Sequence, residues 1–180
     1  MQFKSSHLLI DTCCLINLCA SGELLNILQV ISISVKTNIV QEVKRELQKI
    51  EHLEQFESVV EQGLLLIVDF ASDAERNTFI TYAMEIDDGE AATGAIAISR
   101  GWAMATDDKK ATRFLLQQSP SLQIVSTPEI IKYWSETANI DLFKLSNILQ
   151  EIRVKARYSP NKNHFLKSWW EMVSNYQIMN

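Results

Sequence analysis

Cysteine, proline and glycine are scarce in this chain of 180 residues, which holds three, three and five of them. The cysteines, Cys13, Cys14 and Cys19, fall in one short segment of helical character, and an odd count in such a setting argues against a disulfide framework. Zinc is disfavoured too, because a closed site needs four donors and His7, His52 and His164 show no finger or ribbon spacing. No apolar run approaches the roughly 20 residues of a membrane helix. The opening Met-Gln-Phe-Lys-Ser-Ser-His leads into four apolar residues rather than a signal-peptide core, so a cytoplasmic protein without membrane contact is the expectation. Also missing are a Gly-x-x-x-x-Gly-Lys phosphate loop and an Asp-x-Asp after the first strand, which counts against nucleotide hydrolases and phosphatases among Mg²⁺ phosphoryl-transfer enzymes. Repeats, low-complexity tracts and linkers are absent as well.

What remains is an ordinary globular composition, 47% hydrophobic and 22% charged, enough for one domain with a core and a short appendage. The net charge of −5 disfavours a nucleic-acid partner at first sight, since phosphate binding is driven by Lys and Arg. Its distribution is uneven. Residues 1–140 carry 11 Lys and Arg against 19 Asp and Glu, whereas residues 141–180 carry six against three. The basic tail reads either as a phosphate-facing or partner-facing part, or as a solvated amphipathic helix.

Apolar patterning predicts strands at His7–Ile10, Val30–Val35, Leu64–Val68, Trp102–Thr106 and Leu122–Val125. Helices fill the intervals. Two short ones precede Val30, and a long amphipathic one starts from a Thr37-Asn38 cap and runs through Val40 and Phe56 to Gly63. Others cover Ala71–Met84, the small-residue run after Asp88, Lys109–Gln117, and the segment opened by Thr127-Pro128-Glu129. Alternation of strand and helix predicts an α/β fold with a mostly parallel sheet over residues 1–140. Residues 141–180 hold two helical stripes, Leu142 to Ile152 and Phe165 to Val173, which predict a helical C-terminal extension packed on that domain.

Acidic residues stand at several of these boundaries. Asp11 follows the first strand, Asp107 and Asp108 follow the fourth, and Glu42 and Glu90 lie near helix starts. In an open α/β sheet those places face one crevice. Gathered there the carboxylates repel one another, and a hard dication such as Mg²⁺ or Mn²⁺, bound through oxygen, supplies the compensating charge. One or two such ions would activate water and offset charge in an in-line displacement at phosphate. Each acid also has a plainer reading. Glu42 alone would be a solvated helical acid like Glu46, Glu51 and Glu54, Asp88 a helix cap, Asp87 a loop charge, and Asp107 and Asp108 strand and helix terminators. Asp11 is harder to dismiss, because a carboxylate ending an apolar strand is partly desolvated. Lys109 and Lys110 read as surface charges or weak phosphate contacts, and Trp169 and Trp170 as core or base-stacking aromatics.

Together the segments Leu-Leu-Ile-Asp11-Thr12-Cys-Cys-Leu-Ile-Asn17-Leu, Ile-Val-Gln-Glu42-Val, Asp-Gly-Glu90-Ala-Ala-Thr-Gly-Ala-Ile-Ala and Ala-Thr106-Asp107-Asp108-Lys-Lys-Ala resemble the PIN-domain family over residues 7–130. The resemblance implies a three-layer fold, with a parallel sheet of about five strands between helices, and metal-dependent endoribonuclease activity. It also implies the toxin half of a type II toxin–antitoxin pair of the VapC kind, with RNA as substrate and a small antitoxin as partner; homodimerisation stays open. Carried over by motif, Asp11, Glu42, Glu90 and Asp108 are the catalytic acids. Asp107 is an alternative metal ligand, and Thr12, Thr106 and Asp88 are supporting residues. The chain departs from the family in having Glu90 where Asp is usual and Cys13 where a polar residue often follows the Asp-Thr pair. The rival expectation is a catalytically inactive interaction module of the same fold that binds a partner protein.

Overall fold

A computed structural model describes residues 2–47 and 54–176. Five parallel strands form one sheet in the order β3-β2-β1-β4-β5: β1 (His7–Ile10), β2 (Lys36–Val40), β3 (Leu66–Val68), β4 (Ala103–Ala105) and β5 (Ile124–Val125). Every neighbouring pair is parallel, with Leu9 of β1 facing Asn38 on one side and Met104 on the other. Leu8, Leu9, Ile10, Ile39, Val40, Ala103, Met104 and Ala105 are buried, as expected of strands covered on both faces. The α/β class and the parallel sheet between helices agree with the sequence.

Ten helices are present among the described residues. α1 (Thr12–Ala20), α2 (Leu24–Ser32) and α3 (Gln41–Leu47) precede β3 together with α4 (Glu54–Glu61). After β3 come α5 (Asp73–Tyr82), α6 (Asp88–Arg100), α7 (Lys109–Gln118), α8 (Thr127–Thr137), α9 (Leu142–Lys155) and α10 (Lys167–Ser174). None is long and apolar enough by itself to cross a membrane.

The expected strand over Val30–Val35 is displaced. Ile27, Leu28 and Ile31 carry one buried helical stripe to the end of α2, and Ile33 is exposed beyond it. Helical periodicity therefore overrides the β-branched composition of that run. The strand lies one step later, and Thr37 and Asn38, read as a cap, are buried inside β2. Thr37 Oγ1 donates to Leu64 O, just before β3, and Asn38 Nδ2 donates to Lys36 O at 2.8 Å, so both polar side chains find a backbone acceptor. The expected run of the next helix through residues 48–53 lies outside the described residues.

α6 shows why small residues matter here. Gly89, Ala91, Ala92, Thr93, Gly94, Ala95, Ile96 and Ala97 are all buried, so the helix is enclosed on nearly every side. Its tight fit is clearest at Gly94, where an added Cβ would collide with the side chain of Leu115 in α7. Gly101 ends the helix in the left-handed conformation at φ 64°.

The C-terminal helices share the main core. Leu145, Ile148, Leu149, Ile152, Trp170 and Val173 join the cluster that contains the strands, which settles Trp170 as a packing residue. Trp169 is half-buried beneath Lys132, whose Nζ stands 5.3 Å from the ring centroid. A further anchor joins His164 to Ser126, the residue that caps α8. His164 Nδ1 accepts from Leu166 N at 3.1 Å, so its Nε2 carries the proton and lies 2.9 Å from Ser126 Oγ. The Ser126 proton in turn goes to Glu129 Oε2 at 2.6 Å. That order makes the histidine a donor and the trio a strut, not a nucleophile with its base.

Gly94→Val should overpack the α6–α7 contact and destabilise the protein by about 1–3 kcal/mol. A urea midpoint unchanged from the parent would contradict this close approach.

Candidate active site

The chain runs from β1 outward through β2 and β3, then returns to lay β4 on the other side of β1. The carboxyl ends of β1 and β4 therefore flank the point where strand order reverses, the place where open α/β sheets form a crevice. Asp11 leaves β1 there, with its N–H bonded to Ala105 O at 2.9 Å, and is only 2% exposed. Its Oδ2 accepts from Thr106 Oγ1 and from Cys13 Sγ, each at 3.1 Å. Thr106 Oγ1 also accepts from Asp108 N at 3.2 Å, so one hydroxyl ties the ends of both strands together. Cys13 thus supplies a bond that orients Asp11. Burial pushes its thiol pKa up, which keeps it a donor. Burial likewise raises Asp11 above the ordinary carboxylate range despite these donors, and the charge of Glu46 adds to the effect.

Glu46 is the acid that sequence reasoning missed. It had read as a solvated helical residue, yet it lines the cleft beside Asp11 and Glu90. Thr12 Oγ1 donates to its Oε2, and Gly89 N donates to its Oε1 at 3.1 Å. A Cβ on residue 89 would stand 2.7 Å from that oxygen, so the glycine of Asp-Gly-Glu is what admits the carboxylate to the N-terminus of α6. The spacing of four residues from Glu42, which puts both on one helix face, was the available signal. Glu42 itself is not brought to the cleft wall. Its Oε1 accepts from Arg45 at 3.4 Å, and its Oε2 is buried without a hydrogen-bond partner among the described residues. Because β2 ends only at Val40, Glu42 falls in the first turn of α3, and Glu46, one turn further from the sheet, is the residue that reaches α1 and α6.

Glu90 occupies the third turn-defining position of α6, and its Oε2 receives a long bond of 3.4 Å from Asp87 N. The cap of α6 is therefore Asp87 and not Asp88, as expected from sequence; both are exposed and both line the cleft. Burial, followed by the charges of Asp108 and Asp11, pushes Glu90 up to about 7.

Asp107 and Asp108 divide two tasks. Asp107 accepts from Asn17 Nδ2 at 2.9 Å, Thr127 N at 3.0 Å and Tyr158 Oη at 2.7 Å, and from Thr127 Oγ1 as well. With its lone pairs so engaged it is a strut between β4, α1, α8 and the C-terminal segment. Asp108 caps α7 through Oδ1, accepting from Ala111 N at 2.7 Å, and lines the cleft with Glu90. Lys109 and Lys110 are exposed in the first turn of α7, and neither lines the cleft.

The cleft has two lobes that meet at Cys13, Ile16, Asp87 and Glu90. One, about 600 Å³, holds Asp11, Thr12 and Glu46; the other, about 470 Å³, holds Asp107, Asp108 and Arg157. Carboxylate oxygens from four chain segments face one another across them, a donor set suited in chemistry to Mg²⁺ or Mn²⁺. Among the described residues no three acids, cysteines or histidines stand at spacing that would already hold a metal ion. The donors fit a hard dication in kind, and they would have to draw together around it. No known family profile matches the chain, and no curated protein matches its sequence.

Metal-free protein should lose stability as pH rises from about 4.5 towards 7. Glu90 binds its proton more tightly folded than unfolded, so stability is fully present below 4.5 and declines up to its folded pKa of about 7. Glu90→Gln should flatten that part of a melting-temperature profile, and an unchanged slope would refute the assignment.

Proposed function

We propose that the protein is a Mg²⁺- or Mn²⁺-dependent endoribonuclease of the PIN-domain kind. The observation that carries this reading is the convergence of Asp11, Glu46, Glu90 and Asp108 on one open cleft at the reversal point of a parallel sheet. In this reading those four side chains hold the cation. When bound, the cation supplies Lewis acidity and neutralises charge on the phosphodiester. Thr106 fixes Asp11 and Asp108 relative to each other, Cys13 keeps Asp11 turned to the cleft, and Thr12 and Gly89 do the same for Glu46. In this reading the substrate is RNA, with specificity set by loop shape and single-strand access.

The toxin reading goes with it: a cytoplasmic enzyme restrained by a small antitoxin that covers the acidic cleft. A short reading frame for a DNA-binding-like protein immediately upstream would support that pairing. The rival reading is an inactive module of the same fold that binds a partner protein. A complex that forms equally well in chelator, from a protein without nuclease activity, would establish it.

With Mn²⁺ the protein should cleave single-stranded RNA, and Asp11→Asn should lower cleavage by more than about 100-fold with the fold intact, since even partners behind metal ligands are worth about 10–100-fold. Parent protein that cuts no RNA, or an Asn variant that cuts equally well, would end the nuclease reading. Glu46→Gln should approach the Asp11 variant in severity while Glu42→Gln retains most activity. The reverse order would show that Glu42 supplies the second acid.

A further inference from the structure

We propose that Arg157 clamps a backbone phosphate of single-stranded RNA in the lobe it shares with Glu90 and Asp108. This rests on the ribonuclease reading and adds the residue that would let an acidic cleft hold a polyanion. Among the described residues that line the two lobes, Arg157 is the one cation.

Three observations bear on its placement. First, α9 ends at Lys155 with Ala156 as its cap, and Arg157 follows at φ 53°. That left-handed position after a helix is where glycine is preferred, because a Cβ is strained there. The chain thus keeps a long cationic side chain at a position that backbone chemistry would give to glycine, and such strain is characteristic of functional positions. Second, Arg157 is exposed and makes no ion pair with any described residue, although Asp87, Glu90 and Asp108 share its lobe. Third, the neighbouring residue fixes its position. Tyr158 donates to Asp107 Oδ1 at 2.7 Å and lies edge-on to buried Trp170, with ring centroids 5.9 Å apart. The C-terminal segment is thereby latched to the strut beside Asp108, which places the backbone of Arg157 at the rim of the lobe.

Guanidinium donors match the paired oxygens of a phosphodiester, and the exposed setting leaves them free to take one. Without Arg157 the only charged side chains lining the lobe among the described residues would be carboxylates, which repel an incoming phosphate.

The test uses the full chain with Mn²⁺ and a single-stranded RNA oligonucleotide, comparing parent, Arg157→Gly and Arg157→Lys. Arg157→Gly should raise KM about tenfold with kcat little changed, as expected for one charge-assisted contact. The slope of log kcat/KM against log salt should become shallower by about 0.7, the value for one phosphate contact on a single strand. Arg157→Lys should keep the parent slope, and Arg157→Gly should melt at or above the parent because the strained Cβ is gone. Unchanged KM and salt slope in the glycine variant, faster cleavage by it, or a lower melting temperature with unchanged KM would each overturn the assignment while leaving the nuclease reading in place. A parent protein that cleaves no RNA would overturn both.

Discussion

Parallel pairing is the constraint on which the site depends. When all five strands run the same way, each delivers its carboxyl end to one edge of the sheet, and the helix that follows begins there. Asp11 therefore precedes α1 and Asp108 caps α7, while α6, which follows α5, brings Glu90 of its first turn to the same cleft. The positive ends of these helices face the same carboxylates and offset part of their mutual repulsion. An antiparallel sheet would scatter the same residues to opposite edges.

The offset is partial, and the remainder is visible in the electrostatics. Asp11 and Glu90 are both held above the ordinary carboxylate range, first by burial and then by neighbouring acids. Neutral donors, not cations, keep Asp11 and Glu46 in position: a threonine hydroxyl and a thiol for Asp11, a threonine hydroxyl and a backbone N–H for Glu46. Neutral donors orient a carboxylate without cancelling its charge, so its attraction for a dication is preserved. Where the chain needs a strut it spends a carboxylate fully, as at Asp107, and that strut carries the C-terminal segment to the rim of the cleft.

Much of the arrangement was legible in the residues. Asp11 at the end of an apolar run, the small residues after Glu90 and the Thr106-Asp107-Asp108 segment each announced a boundary through local chemistry. Readings failed where a local signal had two meanings. Val30 belongs to a helix because Ile27, Leu28 and Ile31 bury one stripe, a preference that only packing reveals. Asp87 caps α6 in place of Asp88 because the helix begins one residue earlier than composition suggests. Glu46 and Glu42 share a helix face, and nothing in the sequence states which turn of α3 reaches the neighbouring helices.

The sequence by itself determined the class of fold and the places of Asp11, Glu90 and Asp108 at strand ends and helix starts, since periodicity, caps and strand ends are properties of neighbouring residues. Tertiary structure decided which of two glutamates enters the cleft, which of two adjacent aspartates is a strut, and that a C-terminal arginine stands opposite them. Those choices depend on the distances between elements far apart in the chain, here set by Gly89 against Glu46 and by Tyr158 against Asp107, and no local pattern encodes such distances.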